Sequence, residues 1–179
     1  MKKYLIVFAT LSVFLTSCSL FDKLDDLTKF DIPYDTSFEI NAALPIGTKL
    51  NIATPPIKTN SERTFELKKT RKNLIEEVKL TEVTLKIISP ENENFDFLRS
   101  MTVYISADGL EELKIASISD IQEGVKKISL IIEDADLTRY IISDKISFRT
   151  ESVTQKLTTQ DISIDLHTVF KVDAKILGI

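Results

Sequence analysis

Four groups of residues in this chain have the types and spacing to do chemistry. Cys18 is the only cysteine and His167 the only histidine among 179 residues. His167 lies two residues from Asp165, so an extended backbone would put both on one face and offer an acid–base pair. General acid–base work also needs a cleft and a substrate. The plainer reading is a solvated strand histidine between Leu166 and Thr168. The runs Asp108–Glu112 and Glu133–Asp136 gather carboxylates that could hold calcium. Neither has the Asp-x-Asp-x-Asp-Gly loop spacing, and aspartate at turns and helix starts ordinarily caps backbone N–H groups. One histidine and one cysteine are too few for a zinc site, and no G-x-S-x-G elbow occurs. Glycosidase chemistry needs two carboxylates at a fixed separation across a cleft, which spacing along the chain does not define. The expectation is no catalytic site, no metal and no cofactor.

The elements that would position these residues begin with the N-terminus. Lys2 and Lys3 precede an uncharged, mostly apolar run from Tyr4 to Leu15. Twelve helical residues rise roughly 18 Å, far short of the ~30 Å hydrocarbon core. The run is therefore a signal-peptide core rather than a membrane span. Leu15-Thr16-Ser17-Cys18 ends it. This stretch resembles the lipobox of bacterial lipoproteins. The resemblance implies cleavage before Cys18 and attachment of a diacylglycerol to its sulfur, with residues 1–17 as the signal peptide. It also gives a lone thiol in an oxidising compartment a reason to exist. Each buried acyl CH₂ contributes ~0.8 kcal/mol, and two or more chains hold a protein stably on a membrane. Ser19 follows the cysteine; an aspartate there would favour inner-membrane retention, so the expectation leans to the outer membrane. Whether the domain faces the periplasm or the cell surface is left open.

Loss of residues 1–17 removes Lys2 and Lys3, leaving 21 bases against 27 acids, a formal charge of −6. A chain of that sign without a basic cluster has no counterion-release drive towards nucleic acid. Residues 18–29 contain Leu20, Phe21, Leu24 and Leu27 at near-helical spacing. They read as a lipidated tether, either a short amphipathic helix or a loose linker.

From residue 30 to 179 the period changes to two. Phe38, Ile40 and Ala42 alternate with polar residues, as do Leu50 and Ile52, and Phe65 and Leu67 continue the pattern. Pro55-Pro56 interrupts the ladder. Leu74, Ile75 and Val78 suggest one or two helical turns. Thr81, Val83, Leu85 and Ile87 then share one strand face, and Met101, Val103, Ile105 and Ala107 another. Leu113 and Ile115 give a short strand, Val125 to Glu133 a longer one, and Ile146 and Phe148 mark the next. Leu137, Tyr140 and Ile141 fit a short helix with Asp134 or Asp136 as N-cap. In the last segment Ile162, Ile164, Leu166, Thr168, Phe170, Val172, Ala174 and Ile176 all take even positions. Eight or nine short strands, each apolar on one face, predict a single antiparallel β-sandwich, immunoglobulin-like or similar, with one or two short helices. A closed barrel is the alternative.

The stretches "FDIPY", "EEVKLTEVTLKIISP", "FDFLRSMTVYISADGL", "DLTRYI" and "DISIDLHTVFKVDAKIL" are similar to uncharacterised lipoproteins of Bacteroidota-type bacteria. The resemblance spans most of residues 30–177. It implies a lipoprotein β domain with no assigned activity and no site residues.

Ile88, Tyr104 and Ile131 fall on the nominally polar faces of their strands. They would form an exposed apolar interaction surface, unless the short helices or the tether cover them. The expected function is a membrane-anchored, non-enzymatic binding or assembly module for another envelope protein. The alternative is a periplasmic carrier of a lipid or other apolar ligand, which needs a cavity of at least ~300 Å³.

Overall fold

The computed structural model describes residues 28–175. Cys18, the signal-like run and all but the end of the tether lie outside them. Ten strands alternate with short helices: β1 (Lys29–Ile40), β2 (Lys49–Ala53), β3 (Ile57–Lys58), α1 (Ser61–Leu67), β4 (Ile75–Ser89), β5 (Leu98–Ala107), β6 (Leu113–Ser119), β7 (Lys127–Ser129), β8 (Ile131–Ile132), α2 (Thr138–Ile141), β9 (Lys145–Thr154) and β10 (Ile162–Ala174). Single 3₁₀ turns span Lys72–Leu74 and Phe95–Phe97. One sheet has the order β1-β10-β4-β7; the other has β2-β9-β5-β6-β8, with β3 also on β9. Every pairing is antiparallel. The two open sheets make a sandwich, as the alternation predicts, and not a barrel.

β10 carries the core of the four-stranded sheet. Its even residues from Ile162 to Ala174 are all buried, because side chains two apart share a face. Ile32, Tyr34, Phe38 and Ile40 of β1 join them, and Met101, Val103, Ile105, Ile115, Ile146 and Phe148 face them from the other sheet. Each such aliphatic or aromatic side chain contributes roughly 1.5–3 kcal/mol on burial.

β4 shows how the second period is kept in phase. Val78 and Leu80 are buried at even positions, and Val83, Leu85 and Ile87 at odd ones. The switch is a bulge: Phe170 pairs with Leu80 and Val169 with Glu82, leaving Thr81 as the extra residue. Thr81 is exposed, and its hydroxyl donates to the Val169 carbonyl at 3.1 Å. The expected inward place of Thr81 is corrected accordingly. Ile75 to Val78 are strand, not helix; only Lys72–Leu74 turns helically.

Phe65 and Leu67 are also corrected, from strand to helix. Two apolar residues two apart cannot distinguish the two periods. In α1, Ser61 and Phe65 share the buried stripe at i and i+4, and Leu67 points outward. The expected strand from Val125 to Glu133 divides at Leu130. Lys127–Ser129 pairs with β4, and Ile131–Ile132 pairs with β6. Leu130 is buried at the crossing, and its N–H donates to the Val83 carbonyl at 3.0 Å. This crossing closes one edge of the sandwich.

The bulge yields a test. Deleting Thr81 restores a regular ladder with every apolar residue of β4 still inward. Deleting Thr84 instead turns Leu85 and Ile87 outward while the bulge stays, or Val83 outward if the bulge is lost. Thermal unfolding should show the Thr81 deletion within about 2 kcal/mol of the parent and the Thr84 deletion clearly less stable than the Thr81 deletion.

Candidate interaction site

At the other edge, the sandwich is closed along only half its length. Near Tyr34 the gap between β1 and the second sheet is filled. The Tyr34 hydroxyl donates to the Thr59 carbonyl at 3.1 Å, and burial pushes its pKa up to about 12. Phe65 of α1 stands edge-on to Phe30 with ring centroids 6.2 Å apart. Beyond Tyr34 the core continues with Phe38 and Ile40 buried, but the edge beside them is indented. A groove of about 410 Å³ opens between the end of β1 and all of β2, lined by Glu39, Ile40, Asn41, Leu44 and Lys49–Ala53. Leu44, Leu50 and Ile52 are only partly buried there although they pack against the core.

The loop after β1 shapes one end of this seam. Ala43 N–H donates to the Thr158 carbonyl at 2.7 Å, and Gly47 N–H to the Thr154 carbonyl at 2.9 Å. The Thr154 hydroxyl donates to the Pro45 carbonyl at 2.7 Å and accepts from Thr48 N–H at 3.0 Å. Gly47 sits at φ +82°, a region that suits glycine. This lacing leaves two apolar side chains in water, Ile46 at 66% and Leu157 at 57% exposure. Ser152, which pairs with Leu50 in register, buries a hydroxyl that has no hydrogen-bond partner among the described residues.

The main-chain orientation of β1 follows from two contacts. The Val169 carbonyl accepts from Thr81 on β4, so Val169 turns its main chain away from its β1 partner Pro33. The Tyr34 carbonyl accepts from the Thr168 hydroxyl at 3.2 Å, so Tyr34 faces β10. Odd residues of β1 therefore aim their N–H and C=O groups outward. Pro33 has no N–H to offer, which interrupts that edge. From Asp35 to Glu39 it is continuous.

The residues singled out by sequence are dispersed. Ile88 lies on β4, 46% exposed, in the four-stranded sheet; Ile131 lies on β8, 74% exposed, in the other. Tyr104 shares that second sheet but lies under Arg149, whose guanidinium carbon is 4.1 Å from the ring centroid. His167 pairs with Asp35 of β1, Nδ1 to Oδ1 2.6 Å, rather than with Asp165. The registers place Asp35 directly opposite His167 across the strands, whereas Asp165 is only a neighbour along one. Glu133 pairs with Lys114 at 2.6 Å and Asp134 with Lys79 at 3.0 Å. The N-cap of α2 is Leu137, which corrects the expected Asp134 or Asp136; Asp136, one residue earlier, accepts from Thr138 N–H at 2.9 Å. Among the described residues no group of three or more His, Cys, Asp or Glu is placed to hold a metal ion.

Alternation of β9 alone did not reveal the cluster around Arg149. Its guanidinium donates to both oxygens of Glu112 (2.7–3.1 Å) and to Asn51 Oδ1 at 2.7 Å, while stacking on Tyr104. Glu112 ends the carboxylate run Asp108–Glu112, and its partner is Arg149. Hydrogen bonds from Arg149 hold the Glu112 carboxyl below its usual pKa. Asp96 is lowered likewise, first by the Gly124 N–H at 2.7 Å and then by Lys156 at 3.0 Å. These contacts tie loops together, and two depressions of about 410 and 320 Å³ flank α1 with side chains of both charge signs.

No family model matches this chain, and no curated protein does. Solved structures give loose superpositions. An acid-stable capsid of Helicobacter pylori bacteriophage KHP30 aligns over 80% of this chain and 92% of its own at 10% identity, TM-score 0.36. Desmodium yellow mottle tymovirus aligns over 84% and 90% at 11% identity, TM-score 0.28. Tomato aspermy virus aligns over 82% and 80% at 14% identity, TM-score 0.29. Likeness at this level carries no argument about function.

The lowered carboxyls of Glu112 and Asp96 fix the sign of their acid response. Each binds a proton less readily folded than unfolded, so its stabilisation is complete above the unfolded carboxyl range near pH 4–4.5 and is lost as pH falls through the lower folded value. Glu112→Gln and Asp96→Asn should lower Tm at pH 7, each by the equivalent of about 1 kcal/mol at most, since both groups reach solvent. In both variants Tm should fall less steeply than in the parent between pH 5 and 3.

Proposed function

We propose that this chain is a membrane-anchored lipoprotein whose β-sandwich docks another protein of the cell envelope and catalyses no reaction. The observation that carries the reading is the half-open seam. A packed core ends at an edge where Leu44, Leu50 and Ile52 stay partly wet and Ile46 and Leu157 stand in solvent. Apolar side chains grouped beside an open sheet edge favour a protein partner over a small molecule. The depressions are open grooves, lined by a strand edge or by charged side chains, which suits docking better than carriage of an apolar ligand. The lipid attachment rests on Leu15-Thr16-Ser17-Cys18. Ten residues separate Cys18 from β1. Fully extended they reach ~35 Å, enough to let the domain work beside the membrane.

Three measurements test the reading. Cells fed an alkyne-tagged fatty acid should label the parent chain and not Cys18→Ser; equal labelling of both contradicts the anchor. A photocrosslinking residue placed at Ile46, Leu157 or Ile131 in living cells should give a discrete adduct identifiable by mass spectrometry. No adduct from any position contradicts docking. A bound apolar mass in native mass spectrometry of the purified chain would favour the carrier instead.

A further inference from the structure

We propose that the β1 edge from Asp35 to Glu39 takes up an extended segment of a partner protein, apolar at alternate residues and basic between them. This inference rests on the docking reading and names the partner's chemistry. The outward N–H and C=O groups of Asp35, Ser37 and Glu39 offer up to six main-chain hydrogen bonds, the means by which a peptide adds to a sheet. Pro33 ends the available edge on one side, and the seam ends it at Ile40. Side chains of the added strand would alternate as those of β1 do. Those opposite Thr36 and Phe38 turn to the inward side of the edge, and the one opposite Ile40 enters the groove beside Leu44, Leu50 and Ile52. Those opposite Asp35, Ser37 and Glu39 stay on the outer face. There the exposed carboxylates of Asp35 and Glu39 flank Ser37, with His167 beside Asp35. Charge complementarity then asks for Lys or Arg four residues apart. A second copy of this chain fits poorly: antiparallel pairing of two β1 edges about Ser37 sets Asp35 against Glu39 twice.

The probe is the blocked, fluorescent peptide Lys-Val-Thr-Val-Lys-Val, whose lysines match Asp35 and Glu39 in either strand direction. Two controls accompany it, Glu-Val-Thr-Val-Glu-Val and the non-alternating Lys-Lys-Val-Val-Val-Thr. Fluorescence anisotropy with the full chain should give at least tenfold tighter binding of the alternating basic peptide than of either control. Ser37→Pro removes an N–H that points away from β10 and has no partner among the described residues, and should weaken binding at least tenfold with little change in Tm. Glu39→Lys keeps the backbone and should shift preference towards the glutamate peptide. Equal binding of the basic peptide and its non-alternating control overturns the inference, as does undiminished binding to a folded Ser37→Pro. In cells, an adduct from Ile131 alone would overturn this edge while sparing the docking reading; no adduct anywhere would overturn the reading itself.

Discussion

Thirteen residues of β10 must keep one face inward while hydrogen-bonding a strand on each side. The rest of the fold depends on that constraint. Against β1 the register runs from Lys29–Asp173 to Ile40–Ile162 without a break. Against β4 it breaks at Ser163/Ile164, Val169/Phe170 and Asp173/Ala174. A twisted ladder of this length accumulates mismatch, and a bulge absorbs it one residue at a time. Thr81 is where the mismatch between two apolar phases of β4 is discharged, and its hydroxyl bonds across the strand at that point. Because β10 is flanked on both sides, the open edges of its sheet fall to β1 and β7.

Those two edges end differently. β7 runs into Leu130, which crosses to the second sheet and seals its side with a buried leucine. β1 runs into the loop laced by Thr154 and Thr158, which turns the chain onto β2 and leaves a gap behind it. The gap is half filled by Thr59 and Phe65, so the seam that remains is short and bounded. Asp31, Pro33, Asp35 and Glu39 bear the usual marks of an edge kept from pairing indiscriminately. A guarded edge with apolar residues behind it suits one matched strand better than a general adhesive surface.

Much of this was legible in the residues. The even positions of β10 and the alternation of β1 and β5 gave the sandwich, since period two with one apolar face has few other solutions. What stayed hidden was set by partners distant in sequence. Nothing near Thr81 marks it as the bulged residue; the mismatch belongs to the β4–β10 pair. Phe65 and Leu67 fit either period, and only the Phe30 ring shows which one won. His167 suggested Asp165 because they are neighbours on one strand, whereas its contact, Asp35, lies 132 residues away. Ile46 and Leu157 sit in loops, where no periodicity signals that their side chains remain exposed. Leu50 and Ile52 alternate with Lys49 and Asn51 and pack against the core, but alternation says nothing of what covers them.

Amide hydrogen exchange of the purified full chain, resolved residue by residue along β1, tests the open edge most directly. If the edge is free, the amides of Asp35, Ser37 and Glu39 exchange as exposed groups, while those of Thr36 and Phe38, turned towards β10, are protected by orders of magnitude. Protection of all five amides alike would mean that the edge is already occupied, and the seam would then be a finished part of the fold rather than a docking site.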